Sequence, residues 1–242
     1  MKMLNFAERN RKEIFRDPLS IVLGTALPLI LLIVFTRIEK NAPLDMFKAE
    51  NLTPGLIVFS FSFLTMFSAI LIAKDKNSAF LTRLFASPLT IMDYVLGYAL
   101  PMIPLALLQS IACFVLAVFL GLSSGLVNIL LCILTLVPIA IMSILLGLFS
   151  GAIFTEKQIS GIGTIYIAAV SFLGGAWMDI SLMGGTFEKV SNALPFIHSI
   201  QLARDVLAGN YDTFNSHIWW SVGYMVLALV LAGFAFIRMC RK

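Results

Sequence analysis

The strongest constraint on this chain is a series of apolar runs containing no Asp, Glu, Lys or Arg, over residues 18–36, 52–73, 94–155, 158–178 and 214–237. A helix that crosses a bilayer needs about 20 residues at a rise of about 1.5 Å each. Each run is therefore long enough for one span. The third is long enough for two, divided at Gly121-Leu-Ser-Ser-Gly125, where a tight turn fits. The expected architecture is an all-α integral membrane protein of one domain, residues 1–242, with six spans at 19–36, 54–73, 94–120, 126–154, 159–178 and 217–237. Charged residues make up 12% of the chain, about half the share in a soluble domain, which fits a surface solvated by lipid.

Six spans put both termini and the 2/3 and 4/5 loops on one side of the membrane. That side carries twelve of the 17 Lys and Arg residues, so the positive-inside rule makes it cytoplasmic. The net charge of +4 is then a topology signal, and no nucleic-acid partner is expected. The expected location is the plasma membrane, with N- and C-termini inside. No cleavable signal or lipidation motif is expected at either end. Residues 1–18 read as an interfacial elbow helix with Met3, Phe6, Ala7 and Ile14 partly on one face, stopped at Pro18. A solvated leader is the competing reading.

The interval from Lys74 to Asp93 is long, polar and basic, and lies between two spans. Within it Phe80, Leu81, Leu84 and Phe85 recur at three- and four-residue spacings, the pattern of one apolar helical face. Arg83 and Lys76 project elsewhere, and Pro88 closes the helix. Such a helix is either a handle for a partner that pushes on the spans or a surface helix resting on lipid headgroups.

Span 2 carries Phe59, Phe63 and Phe67 at intervals of four, an aromatic stripe, with Ser60, Ser62, Thr65 and Ser68 elsewhere on the helix. The stripe either faces a route for an amphiphilic cargo or packs against lipid or another helix. Gly147 and Gly151 in span 4 are four apart, a spacing that lets two helix backbones approach closely. The segment 179–215 is too short for two further spans and too apolar for a solvated loop, so it reads as short helices dipping partly into the outer leaflet.

Chemistry is sparse. The two histidines, His198 and His217, fall outside, no hydrolase or metalloprotease motif occurs, and Cys113, Cys132 and Cys240 have no metal-ligand spacing. All six spans lack the acidic and basic residues that ion-coupled carriers keep inside the bundle. A phosphate-binding G-x-x-x-x-G-K-[ST] loop is also missing. If the protein pumps, its energy comes from another chain.

Three sets of residues resemble one family, the permease subunits of type-2 ATP-binding-cassette exporters, which include drug, antibiotic-resistance and polysaccharide or teichoic-acid export systems. They are Arg16-Asp17-Pro18 before a span with Pro28; Phe80-Leu-Thr-Arg-Leu-Phe-Ala-Ser-Pro88 followed by Tyr94-Val-Leu-Gly97; and Leu173-Gly-Gly-Ala-Trp177, then Leu194-Pro195 and Arg204. The chain departs from the family at Asp75-Lys76-Asn77-Ser78, where many members have an acidic pair followed by Gly-Thr.

The resemblance implies a permease dimer, expected to be a homodimer, sitting on two separately encoded ATPase subunits that bind the ATP and Mg. This chain itself would bind no cofactor or metal and would not be an enzyme. Phe80, Arg83, Leu84, Phe85 and Pro88 would seat in the ATPase. Spans 2 and 5 would line the dimer interface, which would put Phe59, Phe63 and Phe67, with Tyr166 opposite, on the substrate path. The function implied is export of an amphiphilic compound. The alternatives are a lipid-linked glycan exporter and, from other classes, a sodium-coupled carrier or a membrane enzyme.

Overall fold

The computed structural model describes residues 2–78, 80, 89–178, 180, 183–212 and 214–240. Among them the chain forms ten α-helices and no strand: α1 (Lys2–Phe15), α2 (Pro18–Asn41), α3 (Ala49–Asn77), α4 (Ile91–Ala99), α5 (Ile103–Leu120), α6 (Leu126–Ile153), α7 (Glu156–Leu173), α8 (Gly185–Asn192), α9 (Pro195–Ala208) and α10 (Phe214–Cys240). Five helical stretches among the described residues are long and apolar enough to cross a membrane: Ile21–Asn41, Ala49–Asn77, Ile91–Leu120, Leu126–Ile153 and Phe214–Met239. The helix expected as a span over 159–178 is shorter. It stops at Leu173, spends its first turn on Glu156, Lys157 and Gln158, and has 18 residues, roughly 27 Å of rise.

α3 is the axis of the bundle. Leu52, Leu56, Leu64 and Ile72 on it are fully buried, whereas α2, α5, α6 and α10 turn side chains such as Val22, Phe119, Leu134 and Phe234 outward, as lipid-facing surfaces do. α6 approaches α3 closely. A Cβ at Gly147 would overlap the Thr65 carbonyl oxygen, and one at Gly151 would overlap that of Ala69. At that separation the hydroxyls of α3 reach across the seam: Thr65 Oγ1 donates to Ser143 O at 2.8 Å and Ser68 Oγ to Ile144 O at 3.1 Å. The small-residue spacing of span 4 thus marks a helix contact, made to α3.

Prolines shape the bundle in two ways. Pro101 lies in a 3-10 turn, Leu100–Met102, that joins α4 to α5 within one helical stretch, Ile91–Leu120. Pro28 sits inside α2 and lacks the N–H that would bond Gly24 O. Gln109 of α5 supplies a long hydrogen bond instead, with Nε2 3.5 Å from Gly24 O, while its Oε1 lies 3.4 Å from the Ser60 hydroxyl of α3.

At the end of the bundle remote from α1, α9 is a buried helix. Phe196, Ile200, Leu202, Ala203 and Val206 are all buried. Arg204 fastens it to α3 and to the turn after α7, with Nε donating to Asn51 O at 2.8 Å and Nη2 to Gly175 O at 3.1 Å. Ser199 and Ser221 hydroxyls join α9 to α10 at 2.7 Å. His198 Nε2 donates to Asn192 O at 2.9 Å, its Nδ1 lies 3.1 Å from His217 Nδ1, and its ring stacks on Trp220 at 4.8 Å.

Candidate coupling face

The first helix is bound to the bundle by side chains that the sequence pattern only partly marks. Phe6 is buried, 4.9 Å from the Tyr98 ring in an edge-on arrangement. It fits because residue 97 is glycine: a Cβ there would run into the Phe6 ring. One turn on, buried Asn10 donates Nδ2 to Gly97 O at 3.0 Å, so α1 reads the backbone of α4 directly.

Between them stands an ion pair. Arg9 grips Asp75, at the end of α3, through Nη1 to Oδ2 at 2.6 Å and Nη2 to Oδ1 at 2.8 Å. Tyr98 of α4 donates its hydroxyl to Asp75 Oδ2 at 2.8 Å. Asp75 is 4% exposed, and a buried carboxylate is tolerable only when its oxygens are satisfied. Here three donors from two other helices meet it. Burial works against the charge on Arg9, but the hydrogen bonds and charge of Asp75 outweigh it and raise the Arg9 pKa.

The same end of α3 is tied to α6 and α7. Lys76 Nζ donates to Ala152 O at 3.0 Å and Ile153 O at 3.4 Å, placing a cation at the negative end of α6. Thr155 then starts α7 with a capping box closed by Gln158, and Thr90 starts α4 with one closed by Asp93. Residues 79–88 are therefore bracketed on both sides. Before them, Ser78 N and Oγ both bond Asp75 O, at 3.2 and 2.8 Å. After them comes the Thr90 cap.

Of the residues expected to form the coupling helix, Arg83, Leu84, Phe85 and Pro88 lie outside the described residues. Phe80 is described. Its ring lies 6.3 Å from that of Phe6 in a stacked arrangement, and the Arg9 guanidinium sits 4.1 Å above it, a cation–π contact. Phe80 is thus engaged by the chain's own first helix.

The aromatic stripe of α3 faces inward. Phe59 is buried, 5.0 Å from Trp177 and 5.5 Å from Phe63, both edge-on. Phe63 and Phe67 lie against Gly24 of α2. Tyr166 is on a different side of α3, in a cavity of about 170 Å³ that also touches Thr65, Met66 and Gly163. Its hydroxyl is buried beside the Thr65 and Ser143 side chains, without a well-formed hydrogen bond to either. The stripe and Tyr166 do not meet within one chain.

Arg9, Asn10, Asp75 and Tyr98 were not among the residues expected to act. The one available signal was Asp75, a lone acid between two lysines at the end of a membrane-length apolar run. The arrangement links α1, α3, α4, α6 and α7 at one face, and among the described residues no group of three or more His, Cys, Asp or Glu could hold a metal ion. No curated protein matches the chain. The family model of the ABC-2 type transporter matches residues 3–208, over the elbow, the bracketed loop and the buried α9, and the chain belongs to that family.

Proposed function

We propose that this protein exports an amphiphilic compound, driven by ATP hydrolysis in a separate ATPase subunit that docks on the face built around Asp75. Family membership makes the chain a multi-pass membrane subunit of an ABC-type exporter and a transport permease, not a catalytic domain. The further reading is that the basic end of the bundle faces the cytoplasm of a plasma-membrane protein, with both termini inside. α7 completes six spans, and the permease works as a dimer, a homodimer on this reading, over two ATPase copies that hold the ATP and Mg.

The observation that carries the coupling proposal is the Arg9–Asp75–Tyr98 contact. A push on residues 79–88 reaches α3 and α4 at their bracketed ends and reaches α1 through Phe80 and Arg9. Arg83, Leu84, Phe85 and Pro88 are the residues proposed to seat in the ATPase, with Phe80 fixing the start of their segment to α1. For the cargo, the cavity of about 170 Å³ beside Tyr166 is one part of the proposed path with open volume. Phe59 and Phe63 pack against Trp177 and α2, so they join the path only when α2 moves off α3, whereas Phe67 already borders a cleft of about 360 Å³.

The test is co-purification. The intact exporter should bring down an ATPase in about equal abundance, and Arg83→Glu with Leu84→Asp should abolish both recovery and transport while the protein still inserts. Unchanged recovery of the ATPase would refute docking through this segment.

A further inference from the structure

His198 of α9 and His217 of α10 are the chain's two histidines, and they meet at the end of the bundle remote from α1 with Nδ1 3.1 Å from Nδ1. The ring centroids lie 5.3 Å apart, so the two nitrogens face each other head-on, as they do when one hydrogen is shared between them. A carbonyl oxygen only accepts, so the 2.9 Å contact from His198 Nε2 to Asn192 O fixes a hydrogen on that nitrogen. While His198 is neutral, its Nδ1 therefore carries a lone pair and His217 Nδ1 supplies the hydrogen. The bridge tolerates one positive charge on the pair, since an imidazolium donates and its neutral neighbour can still accept. It fails with two, because both Nδ1 atoms then carry hydrogens and two cations stand in contact. Both side chains are half-buried, so protons can reach them from water. The charged side chains on the flanking elements are Glu188 and Lys189 of α8 and Arg204 and Asp205 of α9, while α6 carries none. Arg204 bonds Asn51 O and Gly175 O, and the Tyr224 hydroxyl of α10 bonds Ala193 O at 2.5 Å. Asp205 is the acid whose charge reaches His217, and one carboxylate offsets one imidazolium of the two.

We propose that His198 and His217 form a proton-operated latch, which ties α9 to α10 while the pair holds at most one positive charge and releases that end of α9 when acid puts a second charge on it. The neighbouring tie between the same two helices, Ser199 to Ser221 at 2.7 Å, contains no group that titrates in the imidazole range, so the response to acid is confined to the histidines. Release reaches beyond the pair because Arg204, on the same helix, holds α3 through Asn51 O. α9 thus connects the latch to the helix around which the bundle packs. Which compartment's acidity is sensed rests on the orientation proposed above, with this end outside. The latch itself depends on neither that orientation nor the cargo.

The experiment uses the whole protein in detergent micelles, where both ends meet the same buffer, so that a wrong orientation cannot imitate a failed latch. Nitrogen NMR of the two isotope-labelled histidines is followed from about pH 8 to about pH 4, which brackets the ordinary imidazole range. The parent should show a coupling across the Nδ1–H···Nδ1 bridge at neutral pH and titrate in two macroscopic steps at least about one pH unit apart, with the coupling lost at the second. Hydrogen exchange over α9, compared at equal pH in the parent and His217→Asn, reads the release. An asparagine amide can donate or accept, so the variant should stay latched, and in acid α9 of the parent should exchange about tenfold faster than that of the variant. Two independent titrations with no coupling across the bridge, or exchange in acid no faster in the parent than in the variant, would each overturn the proposal.

Discussion

Arg9 and Asp75 stand 66 residues apart in the chain and are joined by two parallel hydrogen bonds, 2.6 and 2.8 Å long. One lies on a helix outside the spans and the other at the end of the helix around which the bundle packs, so the pair decides whether α1 moves with α3 or independently of it.

Removing one partner should cost more than removing both. Arg9→Met leaves a carboxylate that is 4% exposed with the Tyr98 hydroxyl as its remaining partner among the described residues. We expect a loss of about 2–3 kcal/mol, visible as a fall of several degrees in thermal unfolding in detergent and as faster hydrogen exchange over α1. Asp75→Leu made together with Arg9→Met should recover most of the stability, since no uncompensated charge is left. ATP hydrolysis by the assembled exporter should stay uncoupled from transport in that double variant, because the link between α1 and α3 is gone. A double variant no more stable than Arg9→Met alone would show that the two residues act separately.

The seam between α3 and α6 gives a sharper steric prediction. A Cβ at Gly147 or Gly151 would meet backbone oxygen of α3, which cannot swing aside as a side chain can. Gly147→Ala and Gly151→Ala should each push the helices apart, break the Thr65 and Ser68 hydrogen bonds to α6, and lower the unfolding midpoint, at roughly 1–3 kcal/mol each. Gly161→Ala is the control: nothing lies within 4 Å of its would-be Cβ, and alanine is the better helix former. If all three variants unfold at the same temperature, the close approach does not hold the bundle together.

How far these contacts could be read from the sequence depended on their range. Spacing along one element was legible: the break at Gly121, the elbow stopped before Pro18 and the paired glycines of span 4. Such features are set by backbone chemistry within a few residues. The direction of Phe59, Phe63 and Phe67 was not, because a stripe at intervals of four reports that a helix has a face and not which neighbour covers it. Trp177 and Gly24, which cover it, are remote in sequence. Asp75 and Arg9 were opaque for the same reason. Each looked like one more charge in a basic stretch until the fold brought them within hydrogen-bond distance. The length of α7 lay between these cases: a charge-free run reaches Met178, yet the helix ends at Leu173 and the chain turns at Gly174 and Gly175, the latter at a φ of 67°.

Tyr166 offers a test in which stability and function should move in opposite directions. Its hydroxyl is buried beside Thr65 and Ser143 without a well-formed hydrogen bond, in a cavity of about 170 Å³, close in size to engineered apolar cavities that accept a benzene-sized ligand. An unsatisfied buried hydroxyl is a cost, so Tyr166→Phe should leave the resting protein as stable as the parent or more so, by up to about 1–2 kcal/mol. If that hydroxyl is kept to bond a polar atom of the cargo, the same change should weaken stimulation of ATP hydrolysis by transported compounds several-fold while basal hydrolysis is unchanged. Compounds lacking a hydrogen-bonding group should be affected least. A variant that is stabilised yet responds to every compound as the parent does would leave Tyr166 a packing residue and move the cargo path elsewhere.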